Sequence, residues 1–293
     1  MALGAISLDH FCIAKRAVPV ILLAAFWCWE TWQPFFGQRE GRLRHAALNL
    51  AIAVFNTLVL ALVFGSITVF IASWTEEHRV GLLNALALPD PIRFGLALVL
   101  LDGWMYVWHR ANHFFPLLWR FHRMHHSDRN MDVTTATRFH LGEQVLSSLL
   151  RLGLIPLLGV EVWNLVAYDA LVLVVIMFHH ADVSLGRWDR WFRWLIVTPD
   201  MHKVHHSEWQ PETDSNYSTV LSVWDRLART FRIRSDPKTI TFGLKEFADS
   251  SWQTWWGMWK TPFIAVNQVE PPTPRISVET SDKNHDVISE NKP

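Results

Sequence analysis

The chain has 293 residues with 27 basic and 27 acidic side chains, so its formal charge is zero and no global field recruits a polyanion; nucleic acid is not an expected partner. Hydrophobic residues make up 50% and charged residues 18%, below the roughly 25% charged of an average soluble domain, and with 17 Trp this points to lipid. Two cysteines, Cys12 and Cys28, cannot build a disulfide framework, and no Cys-x-x-Cys pair offers a zinc knuckle or a redox site.

Residues 17–38 carry one charge, Glu30, and form a first candidate span. Lys15 and Arg16 ahead of a 13-residue apolar core imitate a secretion signal, but Trp27, Trp29, Glu30 and Trp32 stand where small residues should mark cleavage, so the segment reads as retained. From 46 to 75 there are 30 consecutive residues without Asp, Glu, Lys, Arg or His, longer than the ~20 apolar residues a crossing helix needs. Asn49 and Asn56 are seven apart on this helix and are expected to face protein rather than lipid. Residues 94–108 are apolar apart from Asp102 and follow Pro89 and Pro91, which suit a helix entry. Between 144 and 178 only Arg151, Glu161 and Asp169 are charged, and Gly159 near the middle predicts a hairpin of two short spans, with one long buried helix as the alternative.

The basic residues fall in three segments: Arg39, Arg42 and Arg44; Arg110, Arg120, Arg123, Arg129 and Arg138; and Arg187, Arg190, Arg193 and Lys203. Alternating spans put all three on one side, expected to be the cytoplasm. Trp188, Trp191 and Trp194 recur every three residues beside arginines, and Trp252, Trp255, Trp256 and Trp259 follow helical spacing. Both runs predict helices lying at the headgroup level, with core packing as the alternative. The expected architecture is an all-α membrane protein of four to five transmembrane helices. Its expected parts are N-terminal spans over 1–93, a catalytic region over 94–232, an interfacial segment over 233–267 and a Pro-rich disordered tail over 268–293.

Eleven of the 15 histidines lie between His109 and His206. His109 and His113, four apart, share one helical face. His122, His125 and His126 in HRMHHSD, and His202, His205 and His206 in HKVHHSE, repeat one spacing, a histidine followed three and four residues later by two more. Two such triplets suit two metal ions, since a helix face supplies two or three donors and an ion wants four to six. His140, and His179 or His180, are further candidate donors, whereas His10, His45, His78 and His285 are expected to be ordinary surface residues. Asp128, Asp132, Asp182, Asp200, Glu208 and Asp214 are expected to accept the other ring N–H of the ligating histidines.

Imidazole donors suit Fe, Cu, Zn or Ni. A site beside transmembrane helices is placed to act on lipid, and attack on an unactivated C–H bond calls for O2 and a redox metal. A metal relay would instead need ligands along a path across the bilayer, while a bis-histidine haem or a three-ligand zinc hydrolase leaves most of the clustered rings unused.

The run DGWMYVWHRANHFFPLLWRFHRMHHSD at 102–128, RFHLGE at 138–143, FHHADV at 178–183, TPDMHKVHHSE at 198–208 and DSNYSTVLSVWDRLARTF at 214–231 resemble the sterol desaturase and fatty acid hydroxylase superfamily of membrane di-iron oxygenases. The resemblance implies a cytosol-facing helical cap carrying a histidine-ligated dimetal site of two Fe ions, with zinc as a substitute in a recombinant sample, and O2 as co-substrate. It also implies hydroxylation or desaturation of a lipid-like substrate, sterol or fatty acyl, with electrons from a separate donor protein. By the same resemblance His109, His113, His122, His125, His126, His180, His202, His205 and His206 would be metal ligands. The expected location is a bacterial inner membrane, with the endoplasmic reticulum as the alternative.

Overall fold

The computed structural model describes residues 8–37 and 41–265, with side chains from 18 onward. The expected tail at 268–293, His285 and the side chain of His10 lie outside them. The described chain is helical and holds no strand, only two isolated bridges, Ile196 with Leu221 and Ser207 with Phe242. The long helices are α1 (Leu8–Trp32), α2 (Arg42–Leu60), α3 (Ser66–Glu77), a short α4 (Leu82–Ala85), α5 (Asp90–Phe114), α6 (Pro116–His126), α7 (Leu141–Leu158) and α8 (Val162–His180). Short helices follow: α9 (Asp189–Phe192), α10 (Pro199–His205), α11 (Gln210–Thr213), α12 (Val223–Leu227) and α13 (Trp255–Lys260).

Among the described residues three stretches are long and apolar enough to cross a membrane: Arg42–Ala85, Leu141–Leu158 and Val162–His180. Helices α2 and α3 join through a π-turn, Ala61–Gly65, into one rod. At 1.5 Å per residue it runs roughly 54 Å, beyond a ~30 Å hydrocarbon layer, so one end reaches into the cap. Leu62 and Phe70 on this rod are 87% and 68% exposed; apolar side chains left outward on a folded protein mark a surface for another apolar phase.

At the end away from the cap, the chain between α7 and α8 turns at Gly159, whose φ of +78° only glycine adopts without strain. Glu161 then starts α8 with a capping box to Asn164. The turn thus selects the hairpin over a single long helix. Gly81 (φ +99°) packs against it, and a Cβ there would lie 2.2 Å from the Gly159 backbone nitrogen. Gly81→Ala is therefore expected to cost at least ~2 kcal/mol through backbone strain and displacement of the turn, read as a lowered Tm with the fold otherwise kept.

The lone carboxylates of the apolar helices are anchors for the cap. Glu30 accepts from Arg42 (2.7 Å) and from the backbone N–H of Val133 (3.0 Å) and Asp182 (2.9 Å). Asp102 accepts from the Tyr168 hydroxyl, the Trp224 indole and the N–H groups of Val220 and Leu221, all within 3.2 Å. Asn49 and Asn56 face protein as expected: Asn49 donates to Thr134 Oγ1 (3.0 Å) and Asn56 to the Phe139 carbonyl (2.8 Å).

Three sequence expectations change. Arg42 and Arg44 lie in the first turn of α2 rather than in a loop. The tryptophans at 252–259 do not share one helix, because the Thr254 hydroxyl accepts from Gly257 N–H and starts α13 afresh; Trp255 and Trp259 then pack edge-on against Phe55 while Trp256 stays exposed. Trp188 closes a 3-10 turn and Trp191 belongs to the four-residue α9, so their spacing of three marks tight turns, with all three rings outward.

Candidate dimetal centre

Helices α5, α6, α8 and α10 converge at the cap end of the bundle. Their imidazoles form two groups: His109, His113, His122, His126 and His205, and His125, His180, His202 and His206. Within each group the donor nitrogens lie within 4.8 Å of one another. The groups touch, with His126 stacked on His206 at 4.5 Å.

Each triplet is divided between the groups. His122 and His126 go to the first and His125 to the second; His202 and His206 go to the second and His205 to the first. Helical geometry explains the division: positions i and i+4 are about 40° apart around the axis, whereas i+3 and i+4 are about 100° apart. Two helices facing each other therefore exchange their i+3 rings across the interface.

The hydrogen bonds aim the rings. His109 Nδ1 donates to the Tyr217 carbonyl (2.8 Å), His180 Nδ1 to the Ile176 carbonyl (2.7 Å) and His205 Nδ1 to the Ser215 carbonyl (2.7 Å), while His122 Nδ1 meets Glu143 Oε1 at 2.9 Å. A carbonyl only accepts, so in these neutral rings the proton sits on Nδ1 and Nε2 is a bare lone pair. Nε2 of His109, His113, His122 and His205 is buried with no partner. In the second group, Nε2 of His180 lies 3.2 Å from that of His125 and 3.0 Å from that of His202, which lies 3.2 Å from that of His206. Lone pairs so gathered repel unless a cation joins them, and the spacings match the ~3.0–3.4 Å between imidazole nitrogens bound to one ion at ~2.1 Å. The residues fit two metal ions.

Burial holds these rings neutral. It pushes the His205 imidazole down to about 3, and burial with neighbouring histidines lowers His125, His126, His202 and His206 well below 6.5. Below about pH 6.5 the unfolded chain binds protons that the folded site refuses, so stability is lost as pH falls, by up to ~1.4 kcal/mol per pH unit for each ring. Protein stripped with a chelator is expected to melt progressively lower between pH 7 and pH 5; a flat melting temperature over that range would contradict neutral rings.

Most of the carboxylates expected behind the ligands serve elsewhere. Asp214 alone among the six meets a clustered ring, His113, at 3.4 Å. Asp128 and Asp132 instead flank His45 at 2.9 and 3.0 Å, Asp182 accepts from Phe36 N–H and Asp200 from Ser184. His45 is thus no bland surface residue; it lies on the same face of α2 as buried Asn49, Ile52 and Asn56, a spacing of four, three and four that marks the inward side. His140 and His179 join neither group. His140 accepts from Gly142 N–H and caps α7, which brings Glu143 to His122, and His179 stacks on His202 at 4.0 Å. In the sequence Glu143 stands out only as the last residue of RFHLGE, and the carbonyls of Ser215 and Tyr217 left no signal at all.

A cavity of about 380 Å³ leads from the rings of His109, His122, His125, His180 and His202 into the bundle. Its walls are Leu101, Met105 and Trp108 of α5, Gln144, Ser147 and Leu154 of α7, and Val172 and Ile176 of α8. Arg151 and Asp169, paired at 2.8 Å, bridge α7 and α8 along it.

Comparison with known proteins bears on the same region. Residues 94–230 match the profile of the fatty acid hydroxylase family. An ornithine lipid hydroxylase of Rhizobium tropici is 32% identical over 160 residues, 53% of this chain and 46% of that one. Alkylglycerol monooxygenase of Homo sapiens is 27% identical over 212 residues, 71% and 45% of the respective chains, and cholesterol 25-hydroxylase of Rattus norvegicus 25% over 172 residues, 54% and 53%. The chain spans about half the length of these relatives, and no solved structure matches it. Both imidazole groups fall wholly inside residues 94–230, the segment that matches the fatty acid hydroxylase family.

Proposed function

We propose that this protein is an O2-dependent, di-iron lipid hydroxylase of a membrane, with one iron held by each imidazole group. The observation that carries the reading is the convergence of bare Nε2 lone pairs in two touching groups at the head of a cavity that runs between membrane-length helices. The names of the relatives, hydroxylases and a monooxygenase acting on ornithine lipid, alkylglycerol and cholesterol, favour hydroxylation over desaturation. Bound irons would supply O2 activation and the oxidising equivalents for insertion into a C–H bond, with electrons from a separate donor protein. Zinc in the same positions would bind without redox cycling.

The chain's own groups do the rest. Glu143 and the carbonyls of Tyr217, Ile176 and Ser215 orient His122, His109, His180 and His205, and outer partners of this kind are worth 10–100-fold in metal affinity. The apolar walls of α5 and α8 exclude water and align a hydrocarbon chain with the rings. The arginines at the cap end favour a cytosolic site, a bacterial inner membrane is the favoured location, and 94–232 would be the catalytic unit. Metal transport fits less well, because the nine rings gather at one end of the bundle.

The test is lipid mass spectrometry of a host with and without the gene, joined to O2 consumption by purified iron-loaded protein given a reductant and a lipid panel. A product heavier by one oxygen is expected. No O2 uptake, with metal moved across vesicles instead, would end the reading.

A further inference from the structure

Asn112 stands out among the polar groups that the imidazole groups leave unused. It is 1% exposed, and neither its Nδ2 nor its Oδ1 has a hydrogen-bond partner, although it lines the cavity. Burying an amide with every donor and acceptor unmade is costly, and the usual resolution is a partner that arrives from the cavity.

Its place on α5 says what arrives. Leu101, Met105, Trp108 and Asn112 follow one another at four, three and four residues along a single helical face, so the wall is apolar until its last turn and amide at the level of the rings. Gln144 and Ser147 add polar atoms from α7. Arg151 and Asp169 neutralise each other further along, and Glu143 holds His122 through Oε1 with its Oε2 unpartnered, so the lining offers no free cation to an anionic headgroup.

We propose that Asn112 hydrogen-bonds a neutral donor–acceptor group of the lipid, such as an amide or a hydroxyl, placing the adjacent carbon at the imidazole groups. This rests on the lipid-hydroxylase reading and narrows it: the substrate reacts beside its polar group, with its hydrocarbon along Trp108, Met105 and Leu101. An amide can donate through Nδ2 and accept through Oδ1 at once, and a site built to hydrogen-bond a ligand discriminates strongly against an analogue lacking the group.

The probes are palmitamide and hexadecane, bound to purified full-length protein under nitrogen so that nothing turns over. The wild type should prefer palmitamide. Asn112→Leu should weaken palmitamide on the order of tenfold or more and leave hexadecane within about twofold, with metal content kept and Tm equal or higher because an unpartnered amide has gone. Asn112→Ala serves if the leucine does not fit. Equal weakening of both ligands, or unchanged palmitamide binding, overturns the assignment. With O2 and reductant admitted, oxygen should enter next to the amide in the wild type and scatter along the chain in the variant. Palmitamide selectivity without any oxygen insertion would sink the hydroxylase reading and leave the subsite standing.

Discussion

His125→Ala and His205→Ala are each expected to remove one of two metal ions, and the double variant both, because the two residues belong to different imidazole groups. Loss of an orienting partner alone costs 10–100-fold in affinity; deleting a ligand should cost at least about 100-fold, enough to empty that position at micromolar metal. Turnover should vanish in both variants, since the remaining ion has lost its companion. His78→Ala is the control, for that ring lies exposed at the opposite end of the bundle against the Trp74 carbonyl. Metal analysis of the purified proteins decides the matter: equal metal content in all of them would overturn the division into two groups.

Asp102→Ala should be the most destabilising change away from the rings. The substitution strips four donors of their buried acceptor at once: the Tyr168 hydroxyl, the Trp224 indole and the N–H groups of Val220 and Leu221. An orphaned buried donor costs ~1–3 kcal/mol and relaxation recovers part of the sum, so a loss of about 4 kcal/mol is expected, or roughly 10 °C in Tm for a chain of this size. The effect reaches the metal site, because the segment held by Asp102 carries the Tyr217 carbonyl that orients His109. Asp102→Asn keeps the shape but turns an NH2 towards donors, and it should lose a large part of the same stability. A melting temperature unchanged in both variants would show that Asp102 does not anchor this segment.

Much of this arrangement is legible in the order of the residues. Apolar runs mark the long helices because a helix in lipid must be apolar on its outside for its whole length, and Gly159 marks the hairpin because few residues other than glycine take a left-handed turn without strain. The histidine spacings also speak locally: rings three and four apart share a face whatever the rest of the chain does.

The tertiary structure alone decides which rings meet. That the i+3 ring of each triplet crosses to the other group depends on how α6 and α10 face one another, and periodicity within one helix carries no record of a second helix's rotation. The same holds for the carboxylates. Asp128 and Asp132 are near the rings in the chain yet hold His45, whereas Glu143 reaches His122 because His140 caps α7 and sets where that helix begins. Spacing along a helix is short-range and repeats every 3.6 residues; the partner across a gap is chosen by packing among distant segments, and two carbonyls and one amide became functional candidates only once those segments were in place.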